Sequence, residues 1–230
     1  MTDPQPYSAS YFTGESAKVP EQFIAFRGLL ASHGLDPVDM TTCDLGCAEG
    51  AVFRSPLRGS SCYGVDVSEH AVQRCRDDNP GIADHFAVVD LNSDAPDFDV
   101  EFDLVTAFDV LEHLDSGGPM KQFLAKRLRP GGHLLLTTPN AMSPVRMLGR
   151  PYSGDLDPTH VQLYTRYTLD FWLTRAGLER VELLAPFIFS RRLDSRLSRL
   201  GLGGALVALY RRPESQLNRS ELTGTGRVER

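Results

Sequence analysis

The chain has 230 residues, of which 41% are hydrophobic, and this is enough for one α/β domain with a substantial core. Its formal net charge of −6 argues against a nucleic-acid surface built on bulk electrostatics. No apolar run is long enough to span a membrane, and the N-terminus lacks the basic and apolar regions of a signal peptide. We therefore expect a cytoplasmic protein with no membrane span and no nucleic acid among its partners.

The predicted secondary structure begins with an amphipathic helix over residues 19–32. Short apolar strands, rich in β-branched or aromatic residues, then alternate with helical patterns. The strands are predicted at residues 40–45, 62–67, 85–90, 102–108, 133–138, 178–185 and 205–210. This alternation predicts an α/β fold with a doubly wound, Rossmann-like, seven-stranded and mostly parallel sheet. Ligands of such sheets bind beyond the carboxyl ends of the strands.

Capping residues indicate where some of these helices begin and end. Ser68 is suited to cap the helix after the second strand. Thr165 is suited to cap the N-terminus of a later helix, and Gly177 its C-terminus. The segment after Gly50 could start a helix, but Pro56 would interrupt anything long there.

The chain is predicted to form one domain over residues 1–212, followed by a disordered tail at 213–230. Residues 139–164 are rich in Pro, Gly, Tyr and Asp and are predicted to form a loop that covers the site where ligands of such a sheet bind. Residues 1–37 would form a lid or helix. Three aromatic residues there either fold over a bound ligand or pack on the surface: Tyr7, Tyr11 and Phe12.

The four cysteines lie in the first third of the chain and form no Cys-x-x-Cys pair: Cys43, Cys47, Cys62 and Cys75. This spacing disfavours a zinc site or a disulfide framework. We expect the first two to be small buried residues.

Residues 43–50, Cys-Asp-Leu-Gly-Cys-Ala-Glu-Gly, follow the first predicted strand. Small residues predict a loop whose backbone passes close to a ligand, although a tight turn without a ligand has the same pattern. The spacing differs from Gly-x-Gly-x-x-Gly, and Asp44 precedes the first glycine. A carboxylate repels a phosphate but attracts a cationic ligand, which favours S-adenosylmethionine (SAM) over NAD. Asp66 ends the next strand at the distance expected of a ribose-binding carboxylate.

Five motifs, in order and spacing, resemble those of the class I SAM-dependent methyltransferases. Residues 44–50 are similar to the first motif, which wraps the methionine part of the cofactor, with alanine at position 48 where many members have glycine. Residues 102–114 resemble the fourth-strand motif, and residues 128–140 resemble the element that leads through strand five.

This resemblance implies that SAM is the cofactor and S-adenosylhomocysteine (SAH) the product. Asp66 would hold the ribose hydroxyls, and Asp90 with Leu91 would flank the adenine, although an Asp at a strand end often only caps the next turn. The implied cofactor-binding residues are Asp44, Gly46, Cys47, Ala48, Gly50, Asp66, Val67, Asp90, Leu91, Phe108 and Asp109.

Residues 157–165 narrow the resemblance to a subgroup that includes ubiquinone-type O-methyltransferases and many sugar and natural-product methyltransferases. The subgroup implies methyl transfer to a hydroxyl oxygen of a small-molecule biosynthetic intermediate. Separately, we consider a homodimer as a candidate oligomeric state. Alternatives are a small-molecule N-methyltransferase and a SAM-binding partner subunit without catalysis. The loop spacing and the lack of a Tyr-x-x-x-Lys set disfavour an NAD-dependent oxidoreductase. A protein or RNA methyltransferase is disfavoured because no extra recognition domain is apparent.

A hydroxyl acceptor must lose its proton, and a neutral histidine is the usual acceptor of that proton. His160 and His113 are the candidate catalytic residues. Each has a structural alternative: His113 could hold a backbone group, and His160 could bond Asp155 or Asp157. The same aspartates with His160 could form a Mg²⁺ site, but we predict no metal ligand.

Overall fold

The computed structural model describes residues 21–144, 157–186, 199 and 202–214. Its helices are α1 (Gln22–Ser32), α2 (Glu69–Asp78), α3 (Gly118–Arg127) and α4 (Arg166–Arg175). Its strands are β1 (Thr41–Leu45), β2 (Ser61–Asp66), β3 (Phe86–Val88), β4 (Phe102–Phe108), β5 (Leu128–Pro139), β6 (Glu179–Leu184) and β7 (Ala205–Arg211). The helix that the sequence predicts from residue 19 is seen from Gln22 onward.

The seven strands form one sheet in the order β3-β2-β1-β4-β5-β7-β6. The first five strands are parallel, and β7 runs antiparallel to both β5 and β6. The predicted doubly wound, mostly parallel sheet is therefore confirmed. The strand order reverses between β1 and β4, which is where the crevice for a ligand forms in such sheets.

Helices cover both faces of the sheet. On one face, α1 and α2 bury an apolar cluster that includes Phe26 and Val72. On the other, α3 and α4 bury a cluster that includes Phe123 and Leu173. A strand covered on both faces needs apolar side chains throughout, which explains the continuous apolar runs in the sequence.

The predicted helix caps are present. The Ser68 hydroxyl accepts from the amide of Ala71 at the start of α2. Thr165 and Thr168 form a reciprocal capping box at the start of α4. Gly177, with φ of +85°, follows the last turn of α4.

The segment after the loop at 43–50 forms only a short 3-10 helix, Val52–Arg54, instead of an α-helix. Ser55 is extended, with ψ of 172°, because the following Pro56 disfavours helical geometry for the residue before it. The loop at residues 43–50 is therefore followed by a turn, and its shape depends on contacts with neighbouring strands.

Cys43 and Cys47 are buried, as predicted, and so are Cys62 and Cys75. Several predictions fall on residues outside the described ranges. These are residues 1–20 of the predicted lid, with Tyr7, Tyr11 and Phe12, residues 145–156 of the predicted covering loop, with Asp155, and most of the predicted tail. No helix in the part of the chain that the structure describes is both long and apolar enough to cross a membrane.

Candidate active site

The loop after β1 turns sharply, and its backbone is tied to the next strand. The amides of Gly46 and Cys47 both donate to the carbonyl of Val65, at 2.8 and 2.9 Å. Gly46 and Gly50 have φ of +72° and +81°, and a Cβ on Gly46 would lie 2.5 Å from Val110 Cγ2. The small residues of this motif are therefore required by backbone conformation and by the close approach of Val110.

Ala48 has φ of +45°, in the left-handed region that residues with a side chain rarely adopt. This conformation costs about 1–2 kcal/mol relative to a right-handed one. The amide of Ala48 donates to Asp66 Oδ2 at 2.9 Å, which holds the residue in place. Backbone strain of this kind clusters at ligand-binding loops.

Asp66 joins the ends of two loops. In addition to the Ala48 amide on Oδ2, its Oδ1 accepts from the amide of Ser68 at 2.9 Å. Burial raises the pKa of Asp66 above its ordinary value, and these amide hydrogen bonds act in the opposite direction. Each carboxylate oxygen can accept a second hydrogen bond, so the residue can still hold the ribose hydroxyls.

Asp44 lies at the centre of the sheet, with 3% of its surface exposed. Its Oδ1 accepts from the hydroxyl of Thr106 at 2.6 Å. Burial, with a smaller contribution from the negative charge of Asp66, raises the pKa of Asp44 to about 8 against the opposing effect of that hydrogen bond. Such a carboxyl is stabilised in its ionised form by a cationic ligand, as the sequence predicts for the methionine ammonium.

The residues predicted to lie near the adenine and ribose have ordinary local roles. Asp90 is exposed, and its Oδ1 accepts from the amide of Asn92 at 2.9 Å, which caps the turn after β3. Leu91 is buried in the core, and Val67 is 42% exposed. Contacts of these three residues with the cofactor stay predictions.

At the end of β4, Phe108 stacks on Phe26 of α1, with ring centroids 5.0 Å apart. Asp109 has φ of +52°, and its Oδ1 accepts from the Thr137 hydroxyl at 3.0 Å. The backbone after β4 is thus bonded to β5. The aromatic ring has a packing role, and the predicted cofactor contacts of both residues remain predictions.

Residues 157–162 dock against a 3-10 helix, Leu111–His113, that follows β4. The amides of Val161 and Gln162 donate to the carbonyl of Glu112, at 2.8 and 3.0 Å. This docking brings together the two predicted histidines, His113 and His160, whose ring centroids are 4.6 Å apart.

His113 is held by Thr159. The histidine Nδ1 lies 2.9 Å from the threonine hydroxyl and 3.2 Å from the threonine carbonyl. Burial, followed by the neighbouring His160, lowers the pKa of His113, and Asp157 and the Thr159 hydrogen bond act in the opposite direction. The structural role considered from the sequence is thus present, while the ring stays neutral at neutral pH.

His160 has 11% of its side chain exposed, with Nε2 at 3.8 Å from Asp157 Oδ2. Its Nδ1 is buried and has no hydrogen-bond partner among the described residues. Burial raises the pKa of Asp157, but the hydroxyl and amide of Thr159 and the two histidines outweigh this and lower the pKa overall. Asp157 is therefore ionised and able to orient His160.

Glu112 is the residue that the sequence analysis missed. It is 1% exposed, its Oε2 accepts from the Thr138 hydroxyl at 2.9 Å, and its Oε1 has no partner among the described residues. Burial, followed by the charge of Asp109, raises the pKa of Glu112 to about 8. A carboxylate next to a histidine, with apolar residues on both sides over 110–114, was the signal that could have revealed it.

The sheet order, the glycine-containing loop after β1 and the carboxylate at the end of β2 together define the class of Rossmann-like nucleoside-binding enzymes that use SAM. A family model described as a methyltransferase domain matches residues 17–183. The chain belongs to the class I SAM-dependent methyltransferases.

Three known proteins illustrate this relationship. A ubiquinone biosynthesis O-methyltransferase from Xanthomonas axonopodis pv. citri (strain 306) is 28% identical over 179 residues, covering 72% of this chain and 75% of that protein. A SAM-dependent methyltransferase from Mesorhizobium loti has a TM-score of 0.61 at 22% identity, covering 82% of this chain and 98% of its own. Magnesium protoporphyrin IX methyltransferase from Synechocystis PCC 6803, solved with SAH bound, has a TM-score of 0.56 at 18% identity, covering 84% and 83%. These two solved structures show the shared fold.

The cofactor is SAM, which when bound supplies an electrophilic methyl group on a sulfonium sulfur. The described residues fit it. Asp44 is a buried carboxyl suited to the methionine ammonium, and Asp66 can accept from both ribose hydroxyls. A Cβ on Gly46 would lie 2.5 Å from Val110 Cγ2, so the loop can pack against Val110 in this way only with glycine there.

Proposed function

We propose that this methyltransferase acts on a hydroxyl oxygen of a small-molecule biosynthetic intermediate, such as a sugar, a polyketide or a quinone. One observation carries the proposal. Val110 lies directly against Gly46 of the cofactor loop, and two residues further on begins a cluster of three proton-accepting side chains, Glu112, His113 and His160. Groups that can take up a proton therefore begin two residues along the chain from a residue that packs against this loop.

Methyl transfer is an in-line displacement, so the protein must align the acceptor oxygen with the methyl group and exclude water. A hydroxyl must also lose its proton, for which a positioned base contributes about 10²–10⁴-fold. In a metal-free site, His160 is the group best suited to accept it, because Nδ1 has no partner in the described part of the chain. Asp157, beside Nε2, would stabilise the imidazolium that forms.

The similarity to the ubiquinone biosynthesis O-methyltransferase supports an oxygen acceptor. The N-methyltransferase and the non-catalytic SAM-binding subunit stay as alternatives. A small-molecule partner, a homodimer and a cytoplasmic location also remain predictions from the sequence.

A panel of paired acceptors tests the proposal. The purified protein is incubated with SAM and with catechols, phenols and sugars, each matched by an analogue in which an amine replaces the hydroxyl. SAH and methylated products are measured by mass spectrometry. Turnover of hydroxyl compounds supports O-methylation, whereas turnover restricted to the amines contradicts it. SAM binding without any turnover would favour the non-catalytic subunit.

A further inference from the structure

Glu112, His113 and His160 each offer one atom able to bind a metal ion, and these atoms all lie within 4.8 Å of one another. Two residues of the cluster also carry a buried polar atom without a partner among the described residues, Glu112 Oε1 and His160 Nδ1. An unsatisfied buried polar group costs about 1–3 kcal/mol, so two in one cluster require an explanation.

Two of these three side chains are also held by hydrogen bonds from outside the cluster. Thr138 donates to Glu112 Oε2, and Thr159 bonds the Nδ1 atom of His113. Residues that bind metals are characteristically held by such outer partners, which set the orientation of a ring or carboxylate before the ion arrives.

The surrounding charge also favours a cation. Asp109 and Asp157 act electrostatically on this cluster, and Asp157 lies 3.8 Å from the His160 ring. These three candidate ligands differ from the oxygen-rich Mg²⁺ site of Asp155, Asp157 and His160 that the sequence analysis considered. One oxygen of Asp157 is bonded to the amide and hydroxyl of Thr159, and Asp155 lies outside the described ranges.

We propose that Glu112, His113 and His160 bind one divalent transition-metal ion, and that this ion takes the acceptor hydroxyl as a further ligand. Two imidazoles and one carboxylate suit Zn²⁺, Mn²⁺, Fe²⁺ or Co²⁺ better than Mg²⁺ or Ca²⁺, which prefer oxygen ligands. Three protein ligands leave coordination positions open, as in metal sites that act on substrates.

The role in the reaction rests on the proposed function, whereas the binding of the ion does not. A bound cation lowers the pKa of a coordinated hydroxyl. The O–H bond breaks and its proton passes to solvent. The oxygen keeps the electron pair and forms the O–CH₃ bond, while the S–CH₃ bond breaks and its electron pair returns to sulfur, giving SAH. His160 would then be a ligand and not a proton acceptor.

The test is a titration of the full, untagged chain, freed of metal with a chelator and studied without SAM or acceptor. Co²⁺ is added and followed by its visible absorption, and Zn²⁺, Mn²⁺ and Mg²⁺ are compared by calorimetry. We expect one ion per chain, with Co²⁺ or Zn²⁺ bound at least ~100-fold more tightly than Mg²⁺.

Glu112→Gln and His160→Ala should each weaken Co²⁺ binding by about 100-fold or more. Glu112→Gln keeps the shape of the side chain and can still accept from Thr138, so it separates lost ligation from lost folding. The matched controls are His33→Ala and Glu179→Gln, outside the cluster, which should bind Co²⁺ like the wild type. Circular dichroism checks that every variant is folded.

Absence of Co²⁺ binding at millimolar concentration, or equal binding by folded Glu112→Gln, overturns the site. A direct Glu112–His160 hydrogen bond would then explain the two unpaired atoms. Metal binding that persists while no hydroxyl compound is methylated supports the site and contradicts only the proposed function. O-methylation at an unchanged rate in chelated protein overturns the role of the ion but leaves O-methylation standing.

Discussion

The cofactor loop and the histidine cluster are built in different ways. The loop at residues 44–50 is held by backbone amides and by Asp66, which lies 18 residues from its partner Ala48. The cluster is made of side chains from two segments, and its bond between His113 and Thr159 joins residues 46 positions apart. The first site is therefore encoded in a short stretch of sequence, whereas the second forms only when distant segments dock.

The two regions also differ in how well their polar groups are satisfied. Four buried side-chain polar atoms lack a partner within the described ranges, and two of them, Glu112 Oε1 and His160 Nδ1, belong to the cluster. None belongs to residues 44–50 or to Asp66. The loop and Asp66 therefore leave no buried side-chain polar atom unpaired, whereas the cluster leaves two. Substitutions in the loop should therefore alter SAM binding and stability, and substitutions in the cluster should alter turnover.

The largest expected effect is that of His160→Ala on turnover. We expect kcat to fall by about 10²–10⁴, because the acceptor hydroxyl loses the group that helps to remove its proton, directly or through a bound ion. The Kd for SAM should stay within about twofold, since the cofactor loop is untouched. Steady-state kinetics and calorimetry measure the two quantities. A parallel loss of SAM affinity or of folding stability would show that His160 has a structural role instead.

Asp66→Ala should have the opposite profile. It removes the acceptor of the Ala48 and Ser68 amides and the expected ribose contact, each a hydrogen bond to a charged group. Such bonds contribute about 1.5–3 kcal/mol each, so we expect SAM affinity to fall by about 100-fold or more. Calorimetry measures the Kd, and Asp103→Ala, at the far end of β4, is a control for a lost carboxylate. Unchanged affinity in Asp66→Ala would rule out the ribose assignment.

Gly46→Ala tests the close packing of the loop. The new Cβ would meet Val110 at 2.5 Å on a residue with φ of +72°. Left-handed strain and overpacking together should lower the free energy of unfolding by about 2–4 kcal/mol. Urea denaturation of the wild type and of Gly46→Ala measures this difference in the free energy of unfolding.

Gly34→Ala is the matched control for this substitution, because Gly34 has φ of +75° but nothing within 4 Å of the added Cβ. It should lose only the conformational part, about 1–2 kcal/mol. Equal losses in the two variants would mean that contact with Val110 does not restrict the loop.

The smallest effect is a change in pH dependence caused by Asp44→Asn. The pKa of Asp44 is raised by burial from 3.8 to about 8 in the folded protein, so between these pH values the folded state binds more protons than the unfolded state. The Asp44 carboxyl therefore makes the free energy of unfolding fall as pH rises between these values, by up to about 1.4 kcal/mol per pH unit. Asp44→Asn should lack this component. Urea denaturation of the SAM-free protein at pH 5, 6 and 7 compares the slopes, and identical slopes would contradict a buried, protonated carboxyl.

Local chemistry explains which predictions succeeded. The sheet and the Ser68 and Thr165 caps depend on apolar runs and on hydrogen bonds between near neighbours, which can be recognised from short segments. The expected helix after the cofactor loop shortened to Val52–Arg54 because Pro56 restricts the residue before it. Glu112 escaped notice because its importance depends on burial and on residues 157–162, which the sequence separates from it by more than forty positions.

The sequence by itself determined the doubly wound sheet, which follows from the alternation of apolar strands and helical patterns. The SAM-dependent class followed from the resemblance of five motifs to a known family, and the cofactor contacts of residues 44–50 stay predictions. Only the tertiary structure decided that His113 and His160 meet, and that Glu112 joins them. The physical reason is that docking of residues 157–162 on the Glu112 carbonyl is a long-range contact. No local propensity encodes such a contact, and it forms only on the assembled edge of the sheet.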